Sequence, residues 1–229
     1  NVGVDRFIKE KLPFLSGLNT HIIVNIYGEK IEEYLKIAER LDEMDGISAI
    51  EVNVSCPNVE KGGIEFGKDK EVVFALVSSL KEITNIPIFV KLTPESDVLS
   101  VAREAERAGA DAITLINTIP AMVIDVEKKR PFLAAKKGGL SGPCIYPVAL
   151  RMVYDVYEKV NVPIIGSGGI YNTDVALQYM MAGASLIQIG TANLVNPRVS
   201  LKIIEGLKKY AEIENINISD IVGIAHTSC

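Results

Sequence analysis

Asn53-Val54-Ser55-Cys56-Pro57-Asn58 sets a thiol between two carboxamides where an apolar run, Ala49-Ile50-Glu51-Val52-Asn53-Val54, gives way to polar residues. The run alternates and is rich in β-branched side chains, so it reads as a strand. Pro57, which has no N–H to offer a ladder, reads as its stop. Cys56 then falls on a loop at a strand's C-terminal end, where parallel α/β sheets and barrels carry their chemistry. A lone cysteine is more often a small, inert hydrophobe. An apolar core, however, has no use for two carboxamides beside a thiol, so Cys56 is read as a nucleophile or base.

A second constellation is rich in glycine. Ile164-Ile165-Gly166-Ser167-Gly168-Gly169-Ile170 precedes the helix-opening Asn172-Thr173-Asp174, and Gln188-Ile189-Gly190-Thr191 ends the next apolar run. Glycines there let backbone N–H groups approach a phosphate, and a helix N-terminus adds a favourable dipole. The loops after the last two strands of a barrel are the usual phosphate site. Either motif alone makes a tight turn, but the pair points to a phosphorylated cofactor or substrate. A bulky side chain at Gly169 or Gly190 is expected to block that approach in a protein that still folds. Lys91 ends the run Ile88-Phe89-Val90, and Asn25 and Asn117-Thr118 are placed alike on two other strands. Carboxamides from several strand ends suit one flat heterocycle, since each carries donors and an acceptor. His21 and His226 lie away from strand C-termini and read as structural or solvated.

These residues need a scaffold that brings strand ends together. The strand candidates are His21 to Tyr27, Ser48 to Val54, Pro87 to Leu92, Asp111 to Ile116, Val162 to Ile165 and Ser185 to Ile189. Helical patterns cover Glu29 to Glu43, Asp69 to Ile83, Asp97 to Ala108, Pro147 to Lys159, Thr173 to Ala182 and Pro197 to Ala211. Strict alternation implies parallel pairing with both faces covered. Ala108-Gly109-Ala110 is echoed by Ala182-Gly183-Ala184, each glycine suiting the left-handed turn that ends a helix before a strand. The fold class is therefore α/β: a (β/α)8 barrel of which about six strand-helix units, strands 3 to 8, are present. Asn1 to Gly17 reads as a short helix and turn following a lost second strand. An open dinucleotide-binding sheet is disfavoured, since no G-x-G-x-x-G follows a first strand.

Composition agrees with an enzyme. The chain has 229 residues, 48% hydrophobic and 23% charged, which excludes global disorder. A net charge of −5 argues against nucleic acid as the main partner. No signal pattern or membrane-length apolar run occurs, so a cytoplasmic protein is expected. Cys56, Cys144 and Cys229 are too scattered for a disulfide framework or a metal cluster. Residues 1–229 are read as a single barrel domain, N-terminally incomplete.

Taken together, these motifs resemble the dihydroorotate dehydrogenases, flavin-dependent barrels of pyrimidine biosynthesis. The resemblance runs along essentially the whole chain, through Asn53 to Asn58, Val90-Lys91-Leu92, Asn117-Thr118, Gly138-Gly139-Leu140-Ser141-Gly142-Pro143, Gly168-Gly169 and Gly190-Thr191. It implies oxidation of (S)-dihydroorotate to orotate. Cys56 would be the base that takes the C5 proton while hydride leaves C6 for N5 of FMN, with one FMN per chain. Asn53, Asn58, Asn117 and Thr118 would hold the pyrimidine. Asn25, Asn53, Lys91, Ile116, Gly142, Gly168, Gly169, Gly190 and Thr191 match flavin-contacting positions.

Cysteine at position 56, where membrane-associated quinone-linked relatives carry serine, implies class 1. Asp125 to Pro131 and Gly138 to Pro143 look like class 1B. That form pairs a homodimer of the FMN subunit with an FAD and [2Fe-2S] subunit, as a heterotetramer passing electrons to NAD. This chain has no cysteine cluster to hold iron and sulfur itself. Flavin-dependent dihydropyrimidine (uracil) dehydrogenases share the barrel but resemble the pattern with His at the position of Asn58. Other readings are a non-redox phosphate-binding barrel and a non-catalytic scaffold for a partner. The departures are an upstream region with the first two barrel strands, which family members carry before the position of Asn1, and Cys144 and Tyr146, where a small residue and a Lys are expected.

Overall fold

The structure is a computed structural model and describes residues 2–55, 57–58 and 64–227, with backbone alone for 57–58 and 64–65. The chain divides into two compact units, Asn1–Leu92 with Leu99–Thr114, and Thr93–Val98 with Leu115–Cys229.

In the first unit, helical turns at Val4–Arg6, Phe7–Lys11 and Leu12–Ser16 lead into β1 (Ile23–Ile26), α1 (Ile31–Asp42), β2 (Ala49–Asn53), α2 (Lys70–Ile83), β3 (Ile88–Lys91), α3 (Val98–Arg107) and β4 (Ala112–Leu115). The strands pair in parallel in the order β1-β2-β3-β4. Two rows of register neighbours result, Asn25-Glu51-Phe89-Ala112 and, one step nearer the C-terminal ends, Asn53-Lys91-Thr114. Because side chains alternate along a strand, both rows share one face. The other face is apolar: Ile26, Ile50, Val52, Ile88, Val90 and Ile113 are buried, as are Tyr34, Ala38 and Leu41 of α1 and Leu76, Val77 and Leu80 of α2. Asp69 caps α2 by accepting from the backbone N–H groups of Glu71 and Val72, at 3.0 and 3.3 Å. At the end of this strand order, β1 leaves Ile23 42% exposed.

The second unit contains α4 (Tyr146–Tyr157), β5 (Ile164–Ser167), α5 (Thr173–Met181), β6 (Ala184–Gln188), α6 (Thr191–Val195) and α7 (Val199–Glu214). β5 and β6 pair in parallel. Antiparallel ribbons join Ile119–Ala121 to Gly138–Leu140 and Ile124–Asp125 to Arg130–Pro131. Within the second ribbon Asp125 accepts from the backbone N–H of Lys128 and pairs with its ammonium, which holds its carboxyl below the usual range. His226 is structural, as expected: its ring stacks on Tyr154 at 3.9 Å and its Nε2 lies 3.2 Å from the Ala182 carbonyl. Among the described residues no helix is long and apolar enough to cross a membrane.

All six expected strands and six expected helices are present, and the differences are local. β2 ends at Asn53, before Pro57, because the Asn53 Oδ1 accepts from the Ser55 N–H at 3.0 Å and turns the chain. Pro57 instead belongs to a two-residue ribbon with Ile64–Glu65. β5 starts and ends two residues later than expected, running through Gly166. A Cβ there would lie 2.4 Å from Cδ1 of Tyr179, so the glycine makes room for that ring. Gly109 and Gly183 have φ of +97° and +118°, the left-handed turn their shared sequence context implied.

Tyr34 links α1 to the end of β2: its ring is fully buried and its hydroxyl donates to the Asn53 carbonyl at 2.8 Å. Tyr34→Phe keeps the packing and removes the hydroxyl that donates to the part-buried Asn53 carbonyl. A loss of about 1 kcal/mol is expected, read as a lower midpoint in urea with an unchanged slope.

Candidate active site

In the first unit the candidate residues gather around one that the sequence reading passed over. Glu51 stands mid-strand on the polar face and is 3% exposed. Its Oε2 accepts from Nδ2 of Asn25 at 2.7 Å and lies 3.5 Å from the Lys91 ammonium. Its Oε1 accepts from the Thr114 hydroxyl at 2.8 Å. A carboxylate offers acceptors only, so Asn25 must turn its amino group toward Glu51 and its oxygen away. Lys91, whose side chain is 17% exposed, is held where β3 ends, beside Asn53 in the same row. Asn53 is fixed twice, through its oxygen to Ser55 and through its main-chain carbonyl to Tyr34. A groove of about 800 Å³ runs along β1, lined by Phe7, Leu15, Ile23 and Ile37 and by the polar Asn25 and Glu33. Cys56 lies outside the described residues, as does the side chain of Asn58.

The second unit holds the remaining candidates. The Ile116 N–H donates to the Ser167 carbonyl at 2.7 Å, and the Asn117 Oδ1 accepts from the Thr118 N–H at 2.8 Å. The ribbon passes close over Thr118: a Cβ at Gly139 would lie 2.2 Å from its Oγ1. Three glycine loops meet nearby. Gly169, with φ +67°, approaches the Gly142 loop so closely that a Cβ would lie 2.5 Å from the Gly142 carbonyl oxygen. The Thr191 hydroxyl donates to that of Ser141 at 2.7 Å. The Gly168 carbonyl accepts from the Tyr179 hydroxyl at 2.6 Å, and burial pushes that hydroxyl's pKa well up, so it remains a donor. The helix that follows is capped by Asn172, whose Oδ1 accepts from the Val175 N–H at 2.8 Å.

The glycines therefore divide by role. Gly166 and Gly169 are required by the protein's own packing, whereas a Cβ at Gly190 would meet nothing within 4 Å. A bulky group at Gly169 strains the fold before it reaches any phosphate, which revises the expectation for that residue. Cys144 is exposed, and its thiol faces the Ser141 carbonyl at 3.8 Å. Among the described residues no group of His, Cys, Asp and Glu could hold a metal ion.

Three contributors were missed: Glu51, Thr114 and Tyr179. Glu51 had a usable signal, because it is two residues before Asn53 and so shares its face, and it interrupts an otherwise apolar strand. Thr114 and Tyr179 had none, since each acts through a partner distant in sequence.

Gly169→Ala, at a left-handed position with a backbone clash, should lose at least about 1 kcal/mol of stability. Gly190→Ala should stay within about 0.5 kcal/mol of the parent. Paired denaturant titrations of the two variants check the contrast.

The sequence matches the family model for dihydroorotate dehydrogenase over residues 1–211. It is 49% identical over 225 residues to the catalytic subunit of dihydroorotate dehydrogenase B (NAD(+)) of Geotalea uraniireducens, covering 97% of this chain and 74% of that protein. The Desulforamulus reducens protein of the same name is 48% identical over 228 residues, 99% of this chain and 75% of that one. Among solved structures, the dihydroorotate dehydrogenase of Eimeria tenella in complex with ferulenol superposes with a TM-score of 0.69 at 21% identity, over 86% of this chain and 58% of that one. That likeness concerns the fold, and with the parallel strand-helix units it identifies a partial (β/α)8 barrel. The chain belongs to the dihydroorotate dehydrogenase family.

Proposed function

We propose that this chain is the FMN-bearing catalytic subunit of an NAD-linked dihydroorotate dehydrogenase, oxidising (S)-dihydroorotate to orotate in de novo pyrimidine biosynthesis. The observation that carries the reading is 49% identity, across 97% of the chain, to a protein named as that subunit. The arrangement of side chains supports it. The loops at Gly142, Gly168-Gly169 and Gly190-Thr191, with the Ser141 and Thr191 hydroxyls, suit a phosphate tail, and the space beside Gly190 would admit one. Lys91, Asn25 and Asn53 suit the polar edge of a flavin ring, with a cation placed for an electron-rich group.

FMN, when bound, supplies the acceptor for the hydride that leaves C6 of dihydroorotate. The chain's own part is to hold the substrate and move one proton. Asn53, Asn58, Asn117 and Thr118 hold the pyrimidine. Each carboxamide whose oxygen is spent on a local turn, Asn53 on Ser55 and Asn117 on Thr118, turns its amino group to the opposite side as a donor. The Cys56 thiolate removes the C5 proton. An ordinary thiol titrates near about 8.5, so the competent fraction, and the rate with it, rises with pH through that range. Electrons pass on to a partner subunit carrying FAD and a [2Fe-2S] cluster, which reduces NAD. The assembly is a heterotetramer built on a homodimer of this subunit, working in the cytoplasm.

Cys56→Ala should keep its flavin and lose at least about 100-fold in the rate of flavin reduction by dihydroorotate. Cys56→Ser should retain weak activity that grows at high pH. Anaerobic stopped-flow bleaching of the flavin measures both, and near-parental reduction by Cys56→Ala would remove Cys56 from the mechanism. Asn58→His should weaken orotate binding, read by titrating orotate against flavin absorbance, while flavin content stays constant. An unchanged orotate affinity would take Asn58 out of the pocket.

A further inference from the structure

We infer that Glu51 is a positioning residue of the reaction, whose buried carboxylate sets the place of the Lys91 ammonium, fixes the orientation of Asn25 and partly offsets the Lys91 charge where a flavin ring would lie. The inference rests on the proposed flavin chemistry.

Glu51 is not explained by packing. On the opposite face of the same strands the neighbours are Ile50, Val52, Ile88 and Val90, all fully buried. Apolar residues at positions 25, 51, 91 and 114 together would satisfy the sheet as well, since a buried ionic group often stabilises no better than a hydrophobic set that replaces all of its partners. What a carboxylate adds is geometry. Its two oxygens receive donors from three other strands, Asn25 on β1, Lys91 on β3 and Thr114 on β4. Lys91 has a long, flexible stem, which costs entropy to hold in one place. With the carboxylate 3.5 Å from its ammonium, one region of space becomes favoured for the cation. Asn25 is governed in the same way, because an acceptor-only neighbour selects one of its two flips. Polar residues that break an apolar pattern at a cost in stability are expected where function demands them.

The charge matters as well as the position. A lone ammonium beside a flavin favours the electron-rich reduced form, and a carboxylate next to that ammonium tempers the effect. Glu51 would thus tune how readily the flavin accepts electrons, by its own charge and by where it holds the Lys91 ammonium.

The test uses the full-length holoenzyme and the reduction potential of its bound flavin. Glu51→Gln keeps the size and an acceptor but removes the charge, and it is expected to move the potential upward, with a lower thermal midpoint because the Lys91 ammonium loses its counter-charge. In a Lys91→Met background the same substitution should produce a clearly smaller shift, as required of a residue acting in part through Lys91. Glu51→Asp, which keeps the charge but is shorter, should restore much of the parental potential while loosening flavin binding. A potential that is unchanged or lowered in Glu51→Gln overturns the inference, as does a shift of equal size with and without Lys91. If the parent protein itself binds no flavin, the proposed function fails instead, so the two failures are distinct.

Discussion

In a parallel ladder, register neighbours face the same way, and the rest of the first unit depends on that constraint. Asn25, Glu51, Phe89 and Ala112 form one row, and Asn53, Lys91 and Thr114 the next. Each strand presents one apolar set to the helices and one mixed set to the other side. A slip of one residue in β2 would put Glu51 among the buried aliphatic side chains beneath α1 and α2 and lift Ile50 into the polar rows. The hydrophobic face thus enforces the register, and the register assembles the polar array.

That array lies close to the strand ends for a physical reason. Where β2 stops, its last residues lose ladder partners on the C-terminal side and must find others. Asn53 supplies one through its own side chain, and Tyr34 supplies another from α1. Side chains there are released from the packed interior yet held by a rigid sheet, which combines exposure to a ligand with precision of placement.

The second unit solves a different problem, the close approach of several backbones. Gly139 admits the ribbon over Thr118, Gly166 admits the Tyr179 ring, and Gly169 allows its loop to touch that of Gly142. The Tyr179 hydroxyl then ties down the Gly168 carbonyl. Much of the glycine content that suggests an anion cradle is thus spent on the protein's own packing. Gly190 is the position among these where the missing side chain opens onto space.

The sequence by itself determined the order and type of the elements, because hydrophobic periodicity, the Asp69 and Asn172 caps and the glycine turns at Gly109 and Gly183 are local signals. It also pointed to Lys91, Asn53 and the glycine loops, which stand out by being polar or small at the ends of apolar runs. It carried β2 to Val54, one residue beyond Asn53, whose side-chain turn ends the strand. Only the tertiary structure decided that Glu51, Asn25, Lys91 and Thr114 meet. Those contacts join residues 26 to 63 positions apart, and strand pairing in space, which no local pattern encodes, is what brings them within hydrogen-bonding distance. The same holds for Gly169 against Gly142 and for Tyr179 against Gly168, where loops and side chains from separate elements compete for one volume.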